Sequence, residues 1–472
     1  MATYPAHRTL ARLVIAGTHS GVGKTSMVLG ILGALRRRGV QVQGFKVGPD
    51  FIDPMYHREI TGAPSYNLDA WLMGEDGVRR AFARVAPADG VAIIEGVMGM
   101  FDGRAAGPEG STAEVAAVLQ SPVLLVVDVG GMSRSAAAIV QGYARFDPAV
   151  RVAGVVLNRV GGPRHYHLVK TAVEGQAGVP VWGYLPWDDG LVLPERHLGL
   201  VPVGEDAAFQ RVCTALGAAA ERTIDMPSIV KAAQSAPAFA IARDVMRSAT
   251  ATVARIGVAR DVAFNFYYEA NLRWLRQWGA ELVEFSPLHD PGLPLGVDGL
   301  YFGGGFPEVF AKGLAENLPF IASLRRAREA GMPIYAECGG LMYLVEAIRD
   351  TAGAHYPMVG LLPGICRLTD RLQNFGYKEV RSLRDSLLGP IGLHTRGHEF
   401  HYSVWEGRPA GTSLYRTRSS HGDEQEEGYS AAALTASYVH LHFDACPEVA
   451  KSLVDKAAAF RRKREAISCR KT

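Results

Sequence analysis

The sequence predicts an α/β protein built from two doubly wound domains. Three observations carry this prediction: the length of 472 residues, strand-like apolar runs that alternate with helix-length segments, and one break in that alternation. At about 150 residues per domain, the length accommodates two to four domains, each with its own core. Short runs rich in Val, Ile and Leu that alternate with helices are typical of βαβ units and a parallel sheet.

The first domain is predicted over residues 1–225. Its first strand, Leu13–Gly17, leads through a glycine-rich turn into a helix with apolar residues at helical spacing. Further buried strands are predicted at Val42–Val47, Val91–Glu95, Pro122–Asp128, Val152–Asn158 and Val181–Leu185.

The alternation breaks over residues 226–252, which are rich in Ala, Ser and Pro and which we interpret as an interdomain linker. A second domain is predicted over 253–460, followed by a basic tail over 461–472 that is typical of a solvated helix end. Strands of the second domain are predicted at Arg255–Ala259, Leu282–Phe285, Gly299–Phe302 and Pro333–Ala336.

The composition excludes several classes of protein. Apolar residues make up 48% of the chain and charged residues 21%, which excludes wholesale disorder. The formal charge of +3 is too small to indicate nucleic-acid binding. The 5 cysteines are scattered without zinc or redox spacing, and no apolar run is long enough to span a bilayer. The N-terminus lacks a signal-peptide pattern, so we expect a cytoplasmic protein without membrane or nucleic-acid partners.

The segment from Gly17 to Thr25 reads GTHSGVGKT and lies directly between a strand and a helix, as a phosphate-binding loop does. Glycines such as Gly21 and Gly23 let backbone N–H groups wrap around phosphates. Lys24 is expected to reach the β- and γ-phosphates, and the Thr25 hydroxyl to ligate Mg²⁺. The alternative is a chance glycine-rich turn.

One position departs from the strict P-loop spacing. Thr18 stands where the first glycine is expected, and the resulting pattern resembles the dethiobiotin synthetase branch of P-loop enzymes. His19 occupies the place of the signature lysine of partitioning ATPases, which argues against a nucleotide-dependent dimer switch of that kind. Asn158, at the end of another strand, is a candidate for hydrogen bonds to the nucleotide base.

Two further strand ends carry charged residues beside this loop. The carboxyl ends of strands in a doubly wound sheet face the ligand crevice, so these side chains should point into it. Glu95 is the candidate Mg²⁺ ligand together with Thr25. We expect the others to orient the substrate and a phosphorylated intermediate: Lys46, Asp50, Asp53 and Asp102. Roles as turn or helix-cap residues are the alternative.

In the second domain, residues 333–343 read strand, sharp turn and helix, with Cys338 at the apex. A cysteine there is exposed at a helix N-terminus that favours the thiolate. Gly339 and, from a glycine run after another strand, Gly304 are candidate oxyanion donors. A buried structural cysteine is the alternative interpretation.

A cysteine nucleophile needs a base, and the segment YVHLHF offers His440 and His442. Residues two apart in an extended segment point to the same side, so both rings are candidates to face Cys338. Three further histidines follow a spacing that is not that of a zinc site, and we expect them to serve as substrate contacts or polar packing: His394, His398 and His401.

Taken together, the chain resembles the cobyrinic acid a,c-diamide synthase family of glutamine-dependent amidotransferases. The resemblance runs from Gly17 to about Phe443. It rests on five segments in order: GTHSGVGKT at 17–25, KVGPDFID at 46–53, EGVMGMFD at 95–102, AECGG at 336–340 and GHEFH at 397–401. It implies an N-terminal P-loop NTPase-type parallel sheet that acts as an ATP-dependent amide ligase, and a C-terminal class I glutamine amidotransferase-like sheet.

The resemblance also implies the chemistry. ATP and Mg²⁺ are the expected cofactors, and L-glutamine and two carboxylates of a tetrapyrrole are the expected substrates, which become amides through acyl phosphates. Cys338 matches the family's nucleophile, and the pattern Tyr-x-His-x-x-Phe selects His440 as its activating histidine. Ordinary class I glutaminases place a glutamate two residues after that histidine. Here His442 stands there, so the third member of the triad is absent or supplied elsewhere.

Two alternatives stay open. Within the family, Ni-sirohydrochlorin or hydrogenobyrinate would ask for the same double amidation. From a different class, the chain is a P-loop nucleotide switch fused to an inactive glutaminase-like binding domain, against which the pair Cys338 and His440 argues. The sequence also leaves the oligomeric state open, with a homodimer among the options.

Overall fold

The computed structural model describes residues 6–193, 207–241 and 251–469. It divides the chain into two compact units, Met1–Met246 and Arg247–Thr472. Across the described ranges, no helix combines the length and the apolar character that crossing a membrane requires.

The first unit contains a seven-stranded parallel sheet, which confirms the predicted fold class for this half. The strands in this unit are β1 (Ala6–Arg8), β2 (Arg12–Gly17), β3 (Val42–Val47), β4 (Tyr66–Leu68), β5 (Val91–Glu95), β6 (Val123–Asp128), β7 (Val152–Val160), β8 (Val181–Pro186) and β9 (Phe239–Ile241). The sheet has the order β4-β3-β5-β2-β6-β7-β8, and β1 and β9 form a separate antiparallel pair.

Helices cover both faces of this sheet. They are α1 (Lys24–Arg37), α2 (Ile52–Thr61), α3 (Ala70–Val85), α4 (Thr112–Val118), α5 (Ser135–Phe146), α6 (Pro163–Ala177), α7 (Ala207–Thr223) and α8 (Met226–Gln234), with a 3₁₀ turn at Asp189–Leu191. The side chains of the central strand β2 alternate between two cores: Val14 and Ala16 belong to one, Leu13 and Ile15 to the other, and all four are fully buried. This two-sided burial is why the parallel strands read as continuous apolar runs.

The segment that we interpreted as a linker begins with a helix. Helix α8 starts at a cap in which the Asp225 side chain accepts a hydrogen bond from the Ser228 backbone N–H, and Ile229 and Ala233 are fully buried in the first unit's core. Its apolar residues therefore have helical spacing that the many small side chains obscured. Residues 242–250 lie outside the described residues.

The second unit combines a six-stranded sheet with antiparallel additions. Its strands are β10 (Ala254–Ala259), β11 (Phe264–Phe266), β12 (Ala280–Phe285), β13 (Gly299–Phe302), β14 (Gly304–Gly305), β15 (Ile334–Glu337), β16 (Ala347–Arg349), β17 (His355–Pro357), β18 (Ile365–Leu368), β19 (Asn374–Ser382), β20 (His394–His401), β21 (Ser403–Glu406), β22 (Tyr415–Ser419), β23 (Glu424–Glu427), β24 (Tyr429–Ala431), β25 (Leu434–Ser437) and β26 (His440–Leu441). The main sheet has the order β12-β10-β13-β15-β25-β24 and is parallel except for the edge pair β24 and β25.

The helices of the second unit are α9 (Glu269–Gln277), α10 (Ala311–Glu316), α11 (Leu318–Glu329), α12 (Gly339–Leu344) and α13 (Glu448–Cys469). Helix α13 continues through residues 461–469, so the expected basic tail begins inside a helix. Residues 470–472 lie outside the described residues.

The second unit also contains an antiparallel sheet that the sequence did not predict. This sheet holds β26, the strand that carries His440. Its order is β23-β22-β19-β20-β26, and β26 pairs with β20 so that His440 lies opposite His398. The two strands approach closely at Gly397, where a Cβ atom would lie 2.7 Å from the carbonyl oxygen of His440. The segment GHEFH at 397–401 is therefore a strand that holds His440 in place.

Candidate active sites of the two units

The glycine-rich loop between β2 and α1 has the backbone of a phosphate-binding turn. Gly21 and Gly23 have φ angles of 79° and 91°, in the left-handed region that favours glycine, and Gly23 is the N-cap of α1. The Asn158 side-chain amide donates to the carbonyl of Val22 at 2.9 Å, and a Cβ at Gly23 would clash with its Nδ2. Asn158 thus fastens the loop, while its contact with a nucleotide base stays a prediction.

Lys24 lies at the start of α1 with its ammonium group turned toward backbone carbonyls. It donates to the carbonyls of His19, at 3.3 Å, and Met98. Burial and the neighbouring Lys46 lower the pKa of Lys24 to about 8, against the opposing pull of nearby carboxylates. A bound phosphate would replace these neutral carbonyl acceptors with negatively charged oxygens. The hydrogen bonds of the Lys24 ammonium group would then become stronger.

Three of the predicted carboxylates surround the buried ammonium group of Lys46: Glu95 ends β5, Asp50 follows β3, and Asp53 lies in the first turn of α2. Lys46 Nζ lies 2.5 Å from Asp53 Oδ2, 3.1 Å from Glu95 Oε1 and 3.9 Å from Asp50 Oδ2. The Thr25 hydroxyl donates to the same Glu95 oxygen at 2.8 Å. The structure therefore joins the phosphate-binding loop to the charged ends of β3 and β5.

The charges in this cluster shift one another's ionisation. Burial alone would lower the pKa of Lys46, but Asp53 and Glu95 outweigh it and raise that pKa above its usual range. Burial alone would raise the pKa of Glu95, but Lys46 and His57 hold it well below its usual range. Burial, together with the negative charges of Asp50 and Glu95, raises the pKa of Asp53. Glu95 is thus kept ionised, as a cation ligand must be.

His57 is a site residue that the sequence reasoning missed. Its ring is fully buried, with Nε2 2.7 Å from Glu95 Oε2 and Nδ1 3.0 Å from the Ser65 hydroxyl. It fixes the Glu95 carboxylate from the side opposite Lys46. The spacing of His57 could have indicated this position. His57 follows Asp53 by four residues on α2, and residues at that spacing share one helix face.

Asp102 stands apart from the Lys46 cluster. Its Oδ2 accepts a hydrogen bond from the Gly99 backbone N–H at 2.9 Å, which shapes the loop after β5. Burial and the charge of Asp102 raise the pKa of Tyr143, whose hydroxyl donates to the Thr18 carbonyl of the phosphate loop. Asp102, in the loop after β5, therefore lies near the phosphate-binding loop.

The donor set suits magnesium in chemical type. A hydroxyl and a carboxylate, from Thr25 and Glu95, are hard oxygen ligands next to a phosphate loop. No three His, Cys, Asp or Glu side chains in the described ranges form a metal cluster of their own. A metal ion at this position would thus share its coordination with nucleotide phosphates and water.

In the second unit, Cys338 sits at the sharp turn between β15 and α12, but it is buried, with 6% of its surface accessible, so the predicted exposure of this cysteine is wrong. Its φ and ψ of 47° and −104° are unusual for a residue with a side chain, a strain found at functional positions. The Cys338 N–H donates to the Ser437 carbonyl at 2.8 Å and the Gly340 N–H to the Gly303 carbonyl at 2.9 Å. The Gly339 N–H, the predicted oxyanion donor, lies between these two amides in the turn.

The glycines around this elbow permit a close approach of the neighbouring loop. A Cβ at Gly339 would lie 2.9 Å from Cδ of Pro307, and one at Gly340 would lie 2.5 Å from the Phe302 carbonyl oxygen. Gly304, the second predicted oxyanion donor, lies against His440, since a Cβ there would come within 2.5 Å of the ring carbon Cε1.

His440 is the histidine that the structure brings to Cys338. Its buried imidazole has the Cys338 thiol as a hydrogen-bond partner, and its Nδ1 lies 3.8 Å from Glu337 Oε2. Burial opposes protonation of the ring, but Cys338 and Glu337 together raise the pKa of His440 to about 10. The site therefore favours the protonated ring of His440 beside the Cys338 sulfur.

The ring of His442 packs elsewhere. It lies 4.6 Å, centroid to centroid, from Tyr268, and its Nδ1 accepts the Asp444 backbone N–H at 3.3 Å. The short strand β26 ends at Leu441, so the alternation that would place both rings on one side does not continue.

The three other histidines do not form a metal site. His394 is exposed, whereas His398 and His401 are buried near His440, and burial lowers their pKa to about 3 and about 4. His401 stacks on Tyr438 with ring centroids 3.9 Å apart, and its Nδ1–H donates to the Ser403 carbonyl at 2.8 Å. These contacts support polar packing by neutral rings.

Comparison with known proteins adds family-level evidence. Residues 13–201 match a family model described as the CobQ/CobB/MinD/ParA nucleotide binding domain. Residues 255–447 match a CobB/CobQ-like glutamine amidotransferase domain. The first unit is therefore a nucleotide-binding domain and the second a glutamine amidotransferase domain.

Relatives align over nearly the whole chain. One from Priestia megaterium is 44% identical over 456 residues, covering 96% of this chain and 98% of the relative. One from Syntrophotalea carbinolica is 45% identical and covers 94% and 98%, and one from Caldanaerobacter subterraneus is 43% identical and covers 95% and 99%. All three are named cobyrinate a,c-diamide synthase.

Proposed function

The chain belongs to the cobyrinate a,c-diamide synthase family of glutamine-dependent ligases, and from this premise we propose that it converts the a and c acetate side chains of cobyrinate into amides. The observation that carries the proposal is the alignment with three relatives of that name over 94% to 96% of the chain, which includes both sites described above. ATP supplies the energy and L-glutamine supplies the nitrogen.

The first unit activates the carboxylate, which is by itself a poor electrophile. An oxygen of the side-chain carboxylate attacks the γ-phosphorus of ATP, so that an acyl phosphate forms and ADP leaves. Lys24 neutralises charge on the transferred phosphoryl group, and the loop amides from Gly21 to Lys24 hold the phosphates. Thr25 and Glu95 would hold Mg²⁺ beside the phosphates, where the ion would supply further charge neutralisation.

The Lys46 cluster positions the reacting carboxylate. Lys46 is held rigidly by Asp53 and Glu95, and its position at a strand end beside the phosphate loop suits it to bind an anionic oxygen. Asp50 and Asp102 lie on the flanks, where their negative charge orients substrate groups that carry hydrogen-bond donors. Small displacements in this cluster would misplace the carboxylate relative to the γ-phosphate.

The second unit releases ammonia from glutamine. The Cys338 thiolate attacks the side-chain amide carbon, and the oxyanion receives hydrogen bonds from Gly339 and the Gly304 loop. The His440 imidazolium gives its proton to the departing nitrogen. The C–N bond breaks, ammonia leaves, and the acyl group remains on Cys338 as a thioester. Water then hydrolyses the thioester to glutamate with His440 as the base. Ammonia attacks the acyl phosphate, phosphate leaves, and the cycle repeats at the second carboxylate.

Steady-state turnover with a panel of tetrapyrroles tests the proposal. The panel contains cobyrinate, hydrogenobyrinate and Ni-sirohydrochlorin, with ATP, Mg²⁺ and glutamine in excess, and mass spectrometry counts the amides. We expect two amides on cobyrinate. A clear preference for another macrocycle would transfer the assignment to that substrate, and nucleotide binding with no amide on any of them would favour the nucleotide-switch alternative.

A further inference from the structure

We propose that Glu337 is the carboxylate that positions His440, so that the glutaminase site is a Cys338–His440–Glu337 triad. The inference rests on the glutaminase function proposed above. It concerns the residue that, in this chain, takes the role of the missing glutamate two positions after the histidine.

The replacement residue at that position cannot serve as the orienting group. His442 is packed against Tyr268, and its Nδ1 already accepts the Asp444 backbone N–H. Glu337 instead immediately precedes the nucleophile, at the end of β15. The strand that leads into the Cys338 turn therefore supplies a carboxylate next to the His440 imidazole.

The geometry places Glu337 against one nitrogen of His440. Oε2 of Glu337 lies 3.8 Å from Nδ1 of His440, and both side chains are 2% exposed. The Cys338 thiol is the other partner of the same ring. An imidazole between a thiol and a carboxylate is held in one orientation, as in other nucleophile–histidine–carboxylate sites.

Hydrogen bonds hold Glu337 itself in place. The Tyr301 hydroxyl donates to Oε2 at 2.9 Å, and the Tyr335 hydroxyl and the Leu441 backbone N–H, the latter at 3.2 Å, donate to Oε1. These hydrogen bonds fix both oxygens of the buried carboxylate in position. Because Leu441 follows His440 directly, the Glu337 carboxylate is also hydrogen-bonded to the strand that carries the histidine.

The other charged and titratable groups around His440 do not compete for this role. His398 and His401 face it from β20 as neutral rings, since burial lowers their pKa to about 3 and about 4. Glu399, also on β20, lies 3.3 Å from the buried ammonium group of Lys378 on β19, so its charge is offset. Glu337 is the carboxylate that the structure directs at Nδ1.

The test compares three variants of the full-length chain: Glu337→Gln, which removes the charge, Glu337→Asp, which keeps it, and Tyr335→Phe, which removes a donor to the oxygen remote from His440. Glutamate release from glutamine is measured against pH, and amidation with ammonium salts is measured in parallel. Thermal unfolding reports whether each variant folds.

We expect Glu337→Gln to lower the glutaminase kcat by about tenfold to a thousandfold while ammonium-dependent amidation stays within about twofold of wild type. A carboxylate raises the pKa of a neighbouring imidazolium, and activity that needs this proton is lost as the pH rises through that pKa. Removing the charge should therefore move the alkaline limb of the pH profile to lower pH. Glu337→Asp, whose shorter side chain withdraws the charge, should move the limb in the same direction but by less, and Tyr335→Phe should leave the limb near its wild-type position.

Wild-type pH dependence and rate in Glu337→Gln would overturn the inference, and so would the same alkaline shift in Tyr335→Phe, which would reduce Glu337 to an anchor for tyrosines. Equal loss of glutamine- and ammonium-dependent activity would also overturn it, because the defect would then be structural. If Glu337→Gln fails to fold, a displaced limb in folded Glu337→Asp supports the inference, because the shorter side chain withdraws the charge, and a wild-type profile overturns it. Absence of glutamate release by the wild-type chain would instead refute the proposed function.

Discussion

Exchanging His440 and His442 for asparagine, one at a time, separates the two histidines that the sequence left close together. Asparagine keeps a polar side chain of moderate size but can neither accept nor release a proton at neutral pH. In His440→Asn the Cys338 thiol loses the neighbouring imidazole, and Glu337 loses the imidazolium beside it. His442→Asn instead removes a ring that packs on Tyr268 and accepts the Asp444 backbone N–H.

The expected magnitudes follow from these interactions. Because a general acid–base residue contributes about 10² to 10⁴ to a rate, His440→Asn should lower the glutaminase kcat by a factor in that range. The buried ring of His442 serves packing, and losing it with its hydrogen bond should cost about 1–3 kcal/mol of folding free energy. Its effect on the glutaminase kcat should stay below about tenfold, since it removes no group that touches the thiol.

Glutamate release under saturating glutamine gives kcat for both variants, and urea unfolding gives their stabilities. Ammonium-dependent amidation serves as the control that the ligase unit still works. A reversed order, with His442→Asn the slower enzyme and His440→Asn near wild type, would refute the assignment and transfer the base role to His442.

Three further outcomes are expected. Cys338→Ala should abolish glutamine-dependent amidation and retain activity with ammonium salts, and equal loss with both nitrogen donors would show that Cys338 is structural. Lys24→Ala should abolish ATP-dependent turnover with either donor while the chain stays folded, and unchanged turnover would contradict the phosphate-loop assignment. Because the pKa of Lys24 is lowered to about 8 and phosphate binding needs its proton, the Kd for a nucleotide in calorimetry should rise up to about tenfold per pH unit above 8. Lys24→Arg should bind with little pH dependence over that range, and a flat wild-type profile would contradict the lowered pKa.

The sequence predicted the parallel sheets because two-sided burial leaves a local signature. Strands β3, β5 and β13 were predicted to the residue, since each is a short apolar run between turns. The cluster of Lys46, Asp53 and Glu95 could be anticipated for a related reason: parallel strands end at one edge of the sheet, so residues at their ends converge.

Other features depend on pairings that no local pattern reveals. The antiparallel sheet that carries β20 and β26 joins segments about forty residues apart, and β20 is partly exposed while β26 has only 2 residues. The role of His57 could not be predicted without the packing of α2, which brings its ring to Glu95. The role of Glu337 could not be predicted without the position of β26, which lies beside the end of β15. Helix α8 was obscured because alanines, which form helices well, also fill linkers.

In the proposed function, one chain transfers the amide nitrogen of glutamine to two carboxylates of cobyrinate, with ATP as the source of energy. The most direct measurement is a reaction with cobyrinate, ATP, Mg²⁺ and glutamine labelled with heavy nitrogen in its side-chain amide, in which mass spectrometry counts labelled amides and a coupled assay counts ADP. We expect two labelled amides per macrocycle and one ADP for each amide formed. ADP release without labelled amides, or amides formed without ATP, would contradict the proposed function.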